Sequence, residues 1–302
     1  MPLAPATAAA LRDAGVPFEE DVPLAKRTYW RVGGPADALA TPGDAPTLAR
    51  LLRVAAEHDT PVFPLGNGSN LLVSDQGVRG IVVSLVGELT EAHAVGDVLI
   101  GGGGAKIAVL LTRAAKHRWA GLEMLAGIPG TLGGAVRMNA GTALGEIADR
   151  LLDVDVALPD GTVVTLPKAA LELRYRHSTL PSGGVIARVR LQVGGDWGES
   201  EARMRHHLER RKATQPLDLP SCGSTFKNPP GDAAGRLIEA CGLKGYTVGG
   251  AQVSPKHANF VVNLGGATAS DIDAVIRHAQ AEVHRQFGLT LEREVQYAGV
   301  WT

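Results

Sequence analysis

Four short segments hold the residue types that could do chemistry. Three are dense in glycine, at 65–72, 101–104 and 126–141, and the fourth, at 222–229, reads CGSTFKNP. Glycines at successive turns let backbone N–H groups converge on an anion, because no Cβ atoms stand in the way. Asn67, Ser69 and Asn70 add neutral donors to the first segment. These segments predict a backbone-lined phosphate or diphosphate site; the alternative is that they are only tight turns in a β-rich domain.

The spacing of the glycines does not fit the two common nucleotide-binding loops. A Rossmann loop requires GxGxxG, but Leu71 takes the third glycine position in the first segment and Lys106 takes it in the second. A P-loop requires Gly-Lys followed by Ser or Thr, and the sequence GAKI at 104–107 lacks both features. An anion site here would therefore belong to another fold.

The segment at 222–229 places a hydroxyl, an ammonium and an amide beside a glycine. Ser224 has no GxSxG elbow around it and no His–Asp pair is indicated, so it does not fit a hydrolase nucleophile. YRHS at 175–178 and LEREV at 291–295 would individually be surface charge. The histidines include no HExxH pair, and the two cysteines form no CxxC pair, so the sequence predicts no metal site.

Composition and charge exclude several classes of protein. The chain has 302 residues, of which 38 are glycine, 45% are hydrophobic and 4% are aromatic. It is neither a fibre nor a disordered chain, because the glycines have no period of three and apolar residues are plentiful. Lys plus Arg (30) nearly balance Asp plus Glu (31), which favours neither nucleic acid nor a membrane surface as a partner. Without a basic secretion signal or an apolar stretch of about 18 residues, we expect a cytoplasmic protein that spans no membrane.

Hydrophobic periodicity predicts an α+β set of elements to position these segments. Helices are predicted at 44–58, 107–117, 199–212, 234–241 and 270–288, with Asp44 and Ser270 as N-caps and Gly288 as the last terminator. Strands are predicted at 62–65, 81–85, 98–100, 154–158, 163–166 and 185–193, with a hairpin turn at Asp160-Gly161. The first two glycine-rich segments each follow a predicted strand.

Six segments together resemble the UDP-N-acetylenolpyruvoylglucosamine reductase family, flavoenzymes of peptidoglycan precursor synthesis. They are RVGGPA at 31–36, LGNGSNLLVSD at 65–75, AGIPGTLGGAVRMNAG at 126–141, YRHS at 175–178, CGSTFKNP at 222–229 and LEREV at 291–295. Each segment alone is modest evidence for membership of this family. All six in the order typical of the family indicate membership over 28 to about 300.

The resemblance implies an FAD-binding fold of the PCMH, or vanillyl-alcohol-oxidase, type with two subdomains, joined to a C-terminal α+β substrate domain. We expect an N-terminal FAD subdomain at 1–60, completed by about 288–302, a glycine-rich FAD-binding subdomain at 61–195 and a substrate-binding domain at 196–287. FAD is expected to bind non-covalently. The residues expected to bind it are Val32, Gly33, Gly34, Leu65, Gly66, Asn67, Gly68, Ser69, Asn70, Gly127, Ile128, Pro129, Gly130, Gly133, Gly134, Asn139, Ala140 and Gly141.

The implied reaction is the NADPH-dependent reduction of UDP-N-acetylglucosamine enolpyruvate to UDP-N-acetylmuramate. NADPH reduces FAD and leaves, and hydride from flavin N5 then goes to the terminal vinyl carbon of the substrate. The resemblance assigns stabilisation of the resulting enolate to Arg176 and Glu294, and protonation of the adjacent carbon to Ser224. The residues expected to contact the substrate are Tyr175, Lys227, Asn228, Gln252 and His257.

Neighbouring residues compete with the assigned ones. Glu292 and Glu294 would share one face of a strand, so register leaves both open, and only the family pattern favours the carboxylate directly before Val295. Arg174 competes in the same way with Arg176, which the YRxS pattern favours. Lys227 could bind the diphosphate instead of assisting the general acid.

Two departures from the family pattern bear on the prediction. Cys222 stands where the family often has Ala or Ser, which places a thiol near Ser224. The chain also passes directly from the strand predicted at 185–193 to the helix at 199–212, without the tyrosine-bearing loop of longer members, so we expect the shorter subtype. Two other functions stay open: another PCMH-type flavoprotein oxidase, and a UDP-sugar-binding protein without flavin. The sequence leaves the oligomeric state open.

Overall fold

A computed structural model describes residues 3–301 of the chain. The α-helices in this range are α1 (Pro5–Asp13), α2 (Ala45–Glu57), α3 (Ile107–His117), α4 (Leu132–Arg137), α5 (Trp197–Thr214), α6 (Ala234–Ala240) and α7 (Ala269–Phe287). The strands are β1 (Phe18–Pro23), β2 (Pro35–Ala40), β3 (Val62–Pro64), β4 (Leu71–Val73), β5 (Val78–Val83), β6 (Ala92–Val95), β7 (Val98–Gly102), β8 (Gly141–Thr142), β9 (Gly145–Glu146), β10 (Leu151–Ala157), β11 (Val163–Pro167), β12 (Val185–Gln192), β13 (Thr247–Val248), β14 (Ala251–Val253), β15 (Val261–Asn263) and β16 (Gln296–Ala298).

The chain divides into two compact units that alternate along the sequence. Unit 1 contains residues 3–22, Asp37–Asn67 and Arg79–Glu209, and unit 2 contains Pro23–Ala36, Gly68–Val78 and residues 210–301. Helices and sheets occur in both units, and the predicted α+β class is confirmed. The three-part division predicted from the sequence stays a prediction.

Unit 1 contains a five-stranded antiparallel sheet in the order β11-β10-β12-β7-β6. Its apolar face packs with α3 and α4 around Leu99, Leu110, Leu132 and Val189, all buried. A second sheet, in the order β1-β2-β5-β3, lies mainly in unit 1, and α1 and α2 pack with it. These two layers support the glycine-rich segments at their strand ends.

The best-predicted elements of unit 1 have strong local signals. Asp44 accepts a hydrogen bond from the Thr47 N–H at 2.7 Å, with a proline in the first turn of α2, so the predicted helix at 44–58 is confirmed to within a residue at each end. The predicted hairpin turn is also confirmed, because Asp160 accepts from the Thr162 N–H at 2.8 Å between β10 and β11.

Unit 2 is built around α6 and α7. The three-stranded sheet β13-β14-β15 and the parallel pair β4–β16 complete it, and its core includes the fully buried Trp30, Phe226, Ile272 and Ile276. The indole N–H of Trp30 donates to the Val261 carbonyl at 2.7 Å, so the largest buried side chain leaves no unpaired polar group there.

The predicted N-cap of the last helix is wrong by two residues. Thr268, and not Ser270, caps α7: its hydroxyl accepts from the Asp271 N–H at 3.0 Å, and the Asp271 carboxylate accepts from the Thr268 N–H. This reciprocal capping box outcompetes a cap at Ser270, whose hydroxyl instead donates to Asp75 at 2.7 Å. The predicted terminator is confirmed, because Gly288 has the left-handed conformation.

Candidate active site

The first glycine-rich segment begins where β3 ends. The Leu65 N–H donates to the Val83 carbonyl at 2.8 Å, which ties the start of the segment to the neighbouring strand. Gly68 has a φ of +60°, and a Cβ there would lie 2.1 Å from the Arg27 carbonyl oxygen. Both the backbone conformation and the close approach therefore require glycine at this position.

The side-chain amides of this segment are engaged in holding it. Asn67 donates from Nδ2 to the Pro129 carbonyl at 2.5 Å, and Asn70 donates to the Glu294 carbonyl at 3.1 Å. Among the described residues, no acceptor receives a hydrogen bond from the backbone N–H groups of Gly66, Gly68, Ser69 and Asn70. The donors left for an anion in this segment are thus mainly backbone N–H groups, together with the Ser69 hydroxyl.

The loop at 127–134 leads into the short helix α4. Thr131 caps this helix by accepting from the Gly134 N–H at 3.3 Å. The Gly130 carbonyl accepts from the Ile107 N–H at 3.0 Å, and the Gly133 N–H donates to the Gly103 carbonyl at 2.8 Å. The loop is therefore fixed by backbone bonds to the neighbouring segment of the chain.

The segment at 101–104 has a packing role. A Cβ at Gly103 would lie only 1.9 Å from the Ile186 carbonyl oxygen, so only glycine allows this approach of the backbone to β12. For this segment the structure supports the plainer interpretation of tight backbone packing.

Asn139 is a buried residue at the centre of a hydrogen-bond network in unit 1. It is 1% exposed and has a φ of +40°. Its Nδ2 donates to Glu146 Oε2 at 2.7 Å and to the Arg174 carbonyl at 2.9 Å, while its Oδ1 accepts from the Ala148 N–H at 3.2 Å. The side chain thus connects the β8–β9 hairpin to the turn at 174–177.

Arg176 occupies this turn in a strained backbone conformation. Its φ is +55°, and reciprocal bonds between Arg174 and His177 close the turn around it. Its side chain is 16% exposed, donates from Nη2 to the Gly141 carbonyl at 3.0 Å and lies with Nη1 3.7 Å from Glu146 Oε1. The guanidinium also stacks over the Tyr175 ring, 4.8 Å from its centroid.

The competing arginine has a different environment. The Arg174 side chain is 72% exposed and pairs at 3.2 Å with Glu172, which is itself largely exposed. Such a surface pair holds a guanidinium weakly, whereas Arg176 is enclosed and held at both terminal nitrogens. The surroundings therefore favour Arg176 as the residue suited to stabilising developing charge.

In unit 2, the CGSTFKNP and LEREV segments lie side by side. Phe226 pairs with Arg293 in an antiparallel bridge, and the Glu294 N–H donates to the Thr225 carbonyl at 2.9 Å. This pairing puts Glu294 opposite the residue that follows Ser224. Ser224 is partly exposed, and its hydroxyl has no partner among the described residues of the chain.

The pairing also separates the two carboxylates of LEREV. The Glu292 side chain is 72% exposed and its Oε1 lies 2.5 Å from Lys227 Nζ, whereas Glu294 is only partly exposed. The carboxylate of Glu292 is thus committed to an exposed ion pair. Lys227 is 17% exposed and lies close to Ser224 in the chain. This position suits both of its predicted roles, assisting the general acid and binding the diphosphate.

The other predicted substrate residues of unit 2 are held by the fold. Asn228 Oδ1 accepts from the Ala234 N–H at the start of α6, and Gln252 donates to Thr247 Oγ1 at 2.9 Å. Burial, and then the charge of Lys244, keep the pKa of His257 below its usual value, so the imidazole is neutral at pH 7. Its Nδ1 accepts from the Asn259 N–H at 3.2 Å.

Several of the remaining predicted cofactor residues have backbone N–H groups that are already hydrogen-bonded within the protein. The Val32 N–H donates to Thr28 Oγ1 at 3.2 Å. The Gly34 N–H donates to the Ser74 carbonyl at 2.8 Å, and the Ala140 N–H donates to the Ala135 carbonyl at 2.7 Å. Gly33, between two of these residues, has a φ of +120°.

The structure thus gathers the predicted residues in two groups. Unit 1 brings Arg176 and Tyr175 together with Asn139 and Gly141, and unit 2 brings Ser224 next to Lys227 and Glu294. Sequence reasoning missed Glu146. The sequence signal that marks this position is the spacing Glu-x-x-Asp, which is typical of a helix N-terminus. In the structure Glu146 and Asp149 form a capping box at the start of a short helical turn after the last glycine-rich segment.

The thiol of Cys222 is expected to be unreactive. Burial raises its pKa to about 12, so it is protonated at neutral pH. Its Sγ lies 3.6 Å from the Leu71 carbonyl oxygen and 3.8 Å from that of Gly68. The departure from the family pattern therefore fills core volume without adding a nucleophile.

Comparisons with known proteins decide the family. Residues 36–167 match the FAD binding domain family, and residues 215–298 match the family described as UDP-N-acetylenolpyruvoylglucosamine reductase, C-terminal domain. The reductase of Anaeromyxobacter sp. (strain K) is 53% identical over 280 residues, which cover 92% of this chain and 85% of the relative. The chain belongs to the UDP-N-acetylenolpyruvoylglucosamine reductase family.

Other members of this reductase family agree over nearly the whole length. UDP-N-acetylenolpyruvoylglucosamine reductase 2 of Symbiobacterium thermophilum is 44% identical over 99% of this chain and 97% of its own. The crystal structure of the reductase from Thermus caldophilus superposes with a TM-score of 0.81 at 41% identity, covering 94% of this chain and 98% of the other. The predicted family and its flavin-domain fold with a C-terminal substrate domain are confirmed.

Family membership also weighs against the two rival functions. An FAD-binding domain joined to the reductase-specific C-terminal domain is neither the pattern of another oxidase nor that of a sugar-nucleotide binder without flavin. Within residues 3–301, no helix is both long and apolar enough to cross a membrane. The same residues contain no group of three His, Cys, Asp or Glu side chains arranged to hold a metal ion.

Proposed function

We propose that this chain reduces UDP-N-acetylglucosamine enolpyruvate to UDP-N-acetylmuramate, with NADPH as the donor and non-covalent FAD as the carrier. The substrate's carbon–carbon double bond gains two electrons and two hydrogens, and NADPH is oxidised to NADP⁺. The observation that carries this proposal beyond family membership is the enclosed guanidinium of Arg176, held at both terminal nitrogens in a left-handed turn. The cytoplasm stays the predicted compartment.

The residues of the glycine-rich loops fit a flavin dinucleotide. The pyrophosphate is an anion, and the backbone N–H groups of Gly66, Gly68, Ser69 and Asn70 have no acceptor among the described residues. With the loop at 127–134 and Asn139–Gly141, these groups would hold FAD mainly through the backbone. When bound, FAD supplies two-electron transfer between NADPH and the substrate.

Arg176 stabilises the negative charge that develops beside the substrate carboxylate. A fixed guanidinium in a largely enclosed position lowers the energy of an enolate more than a mobile surface cation does, because no reorganisation is needed when the charge appears. Tyr175, stacked on the guanidinium, restricts its motion and faces the substrate side of the same turn in this proposal.

Ser224 donates the proton to the carbon next to the carboxylate. A serine hydroxyl is a weak acid, so this role requires a hydroxyl free of competing bonds in a site rich in donors. Its hydroxyl meets the first condition among the described residues, and Lys227 lies three residues further along the chain. Glu294 acts with Arg176 on the enolate, while Lys227, Asn228, Gln252 and His257 contact the sugar nucleotide.

A two-step anaerobic experiment tests the function. Purified protein is first reduced with NADPH, which bleaches the flavin absorbance, and UDP-N-acetylglucosamine enolpyruvate is then added. We expect the absorbance to return and the product mass to exceed the substrate mass by two hydrogens. If the reduced flavin stays reduced after the enolpyruvyl substrate is added, while an alcohol or sugar reduces the oxidised flavin and oxygen then reoxidises it, the oxidase function replaces this one.

A further inference from the structure

The carboxylate of Glu146 is fixed by several partners of unit 1. Oε2 accepts from Asn139 Nδ2 at 2.7 Å, and the side chain also accepts from the Asp149 N–H in a capping box. The Glu146 N–H in turn donates to Asp149 Oδ2 at 2.9 Å. Its Oε1 lies 3.7 Å from Nη1 of Arg176.

Two of the contacts that orient the Arg176 guanidinium come from one hairpin. Nη2 donates to the Gly141 carbonyl and Nη1 faces Glu146, and these two residues are direct partners in the β8–β9 pair. Because both nitrogens contact the same hairpin, the plane of the guanidinium is fixed as well as its position. A free arginine side chain would lose far more rotamer entropy on taking up that geometry during reaction.

The same network holds the backbone beneath Arg176. Asn139, which bonds Glu146, also donates to the Arg174 carbonyl at 2.9 Å, within the turn that keeps Arg176 at positive φ. The amide of Asn139 is 1% exposed and bonded at both its oxygen and its nitrogen. The carboxylate and the turn are therefore two parts of one rigid assembly.

We propose that Glu146 is a positioning residue for Arg176 in the reduction of the enolpyruvyl group. The inference rests on the proposed function, since it assigns Glu146 to the step in which Arg176 stabilises the enolate. Glu146 does not touch the reacting atoms; it holds the guanidinium where the charge develops. A displacement of about 1 Å at such a group can slow a reaction by roughly 100-fold.

The test uses E146Q, which keeps the shape and an acceptor for Asn139 but removes the charge that faces Arg176. The matched control is E172Q, which removes the charge from the exposed partner of Arg174 in the neighbouring turn. For each variant, flavin reduction by NADPH and flavin reoxidation by the enolpyruvyl substrate are followed separately by stopped-flow absorbance. Crystal structures of wild type and E146Q record the guanidinium position independently of activity.

We expect E146Q to slow substrate-driven reoxidation by roughly 10- to 100-fold while NADPH-driven reduction is unchanged, and E172Q to change neither. E146D, which restores the charge, is expected to recover part of the rate. Equal loss in both half-reactions, or wild-type reoxidation in E146Q, overturns the proposal. If the wild type itself does not reduce the substrate, the proposed function fails; an unmoved Arg176 guanidinium in E146Q then overturns the positioning role as well.

Discussion

The turn at 174–177 carries two arginines with different surroundings, and this difference gives the most direct test of the site. Arg176 is 16% exposed and held at two nitrogens, whereas Arg174 is 72% exposed with one surface partner. We expect Arg176→Lys to lower the rate of enolpyruvyl reduction by about 10²- to 10³-fold, because an ammonium cannot reproduce two fixed contacts. Single-turnover flavin reoxidation measures it. Arg174→Lys is the matched control, and a larger loss in that variant would transfer the role to Arg174.

Ser224→Ala tests the proton donor. We expect NADPH to reduce the flavin at the wild-type rate, while reoxidation by substrate slows by about 10²- to 10⁴-fold, the usual range for loss of a general acid. Both half-reactions are measured on the same preparation by anaerobic stopped flow. Ser221→Ala, three residues earlier, serves as the control. A parallel decrease in both half-reactions would instead point to damage of the fold.

The two cysteines are expected to differ in reactivity. Burial raises the pKa of Cys222 to about 12, while Cys241 is partly exposed, so the Cys222 thiol stays both protonated and covered in the native protein. At pH 8, we expect a maleimide to label Cys241 but to reach Cys222 only after unfolding in guanidinium chloride. Peptide mass spectrometry assigns the labels, and native labelling of Cys222 would contradict its burial.

At the residue level, short sequence patterns propose candidate site residues, but the choice between neighbouring candidates depends on their surroundings in space. YRHS and LEREV named Arg176 and Glu294 only with an arginine and a glutamate close by as competitors. Burial and pairing separate them, and neither can be read from register. Glu146 shows the limit most clearly, because its importance comes from a contact across a turn, and nothing in its local sequence marks it as a partner of Arg176.

Among the elements, α7 has an N-terminus that is held by a carboxylate from a distant segment of unit 2 as well as by its own cap. Asp75, from the segment after β4, accepts from the N–H groups of Ala269 and Ser270 at 2.8 and 2.9 Å. Burial alone would raise the pKa of Asp75, but these bonds and the Ser270 hydroxyl outweigh it and hold the pKa below its usual value. The ionised carboxylate thus attaches the helix start to another part of unit 2.

Asp75→Asn is expected to destabilise the protein by roughly 0.3–1 kcal/mol at pH 7, the range for an exposed negative charge at a helix N-terminus. Because the folded pKa is depressed, the ionised carboxylate contributes above its unfolded pKa of about 3.9, and the contribution is lost as pH falls through the folded value. The difference between wild type and variant should therefore shrink from pH 7 towards pH 3. Urea unfolding at several pH values measures it, with Glu57→Gln, exposed at the end of α2, as control. A difference independent of pH would contradict the assignment.

The elements themselves were predictable to different degrees for physical reasons. The helix at 107–117 was predicted with its observed bounds, since an amphipathic pattern over eleven residues has one dominant solution. The strands β13 to β16 have two or three residues each, too few to show a hydrophobic period, so they were not predicted. The cap of α7 was misplaced because Thr268 and Ser270 are both good capping residues, and only the reciprocal bond with Asp271 distinguishes them.

At the scale of the whole molecule, the chain alternates between two units that each have their own core. No composition shift marks the points where it leaves and re-enters a unit, since the segments Pro23–Ala36 and Gly68–Val78 resemble their neighbours. The matched families, at 36–167 and 215–298, follow the larger continuous stretches of the units.

Removal of FAD should lower the thermal stability of the entire protein. A ligand that binds only the folded state at 100 times its dissociation constant stabilises that state by about 2.7 kcal/mol. We expect the melting temperature of protein stripped of flavin to rise as FAD is added back and to level off at the holoprotein value. FMN, which lacks the pyrophosphate, is the control and should stabilise less. An identical rise in melting temperature with both flavins would contradict the proposed role of the backbone N–H groups at 66–70 in binding the pyrophosphate.

The parallel pair β4–β16 has a consequence for the synthesis of the protein. Leu71–Val73 leave the ribosome early, but their partners, Gln296–Ala298, are translated only after all of unit 1 and most of unit 2. Until then β4 is a nascent apolar strand without its neighbour, next to segments whose core partners in α6 and α7 are also not yet made. Unit 1 can complete its core during translation, whereas unit 2 must assemble after it. During that interval β4 and these segments are apolar stretches of the nascent chain that are prone to aggregation, and a chaperone would have to cover them.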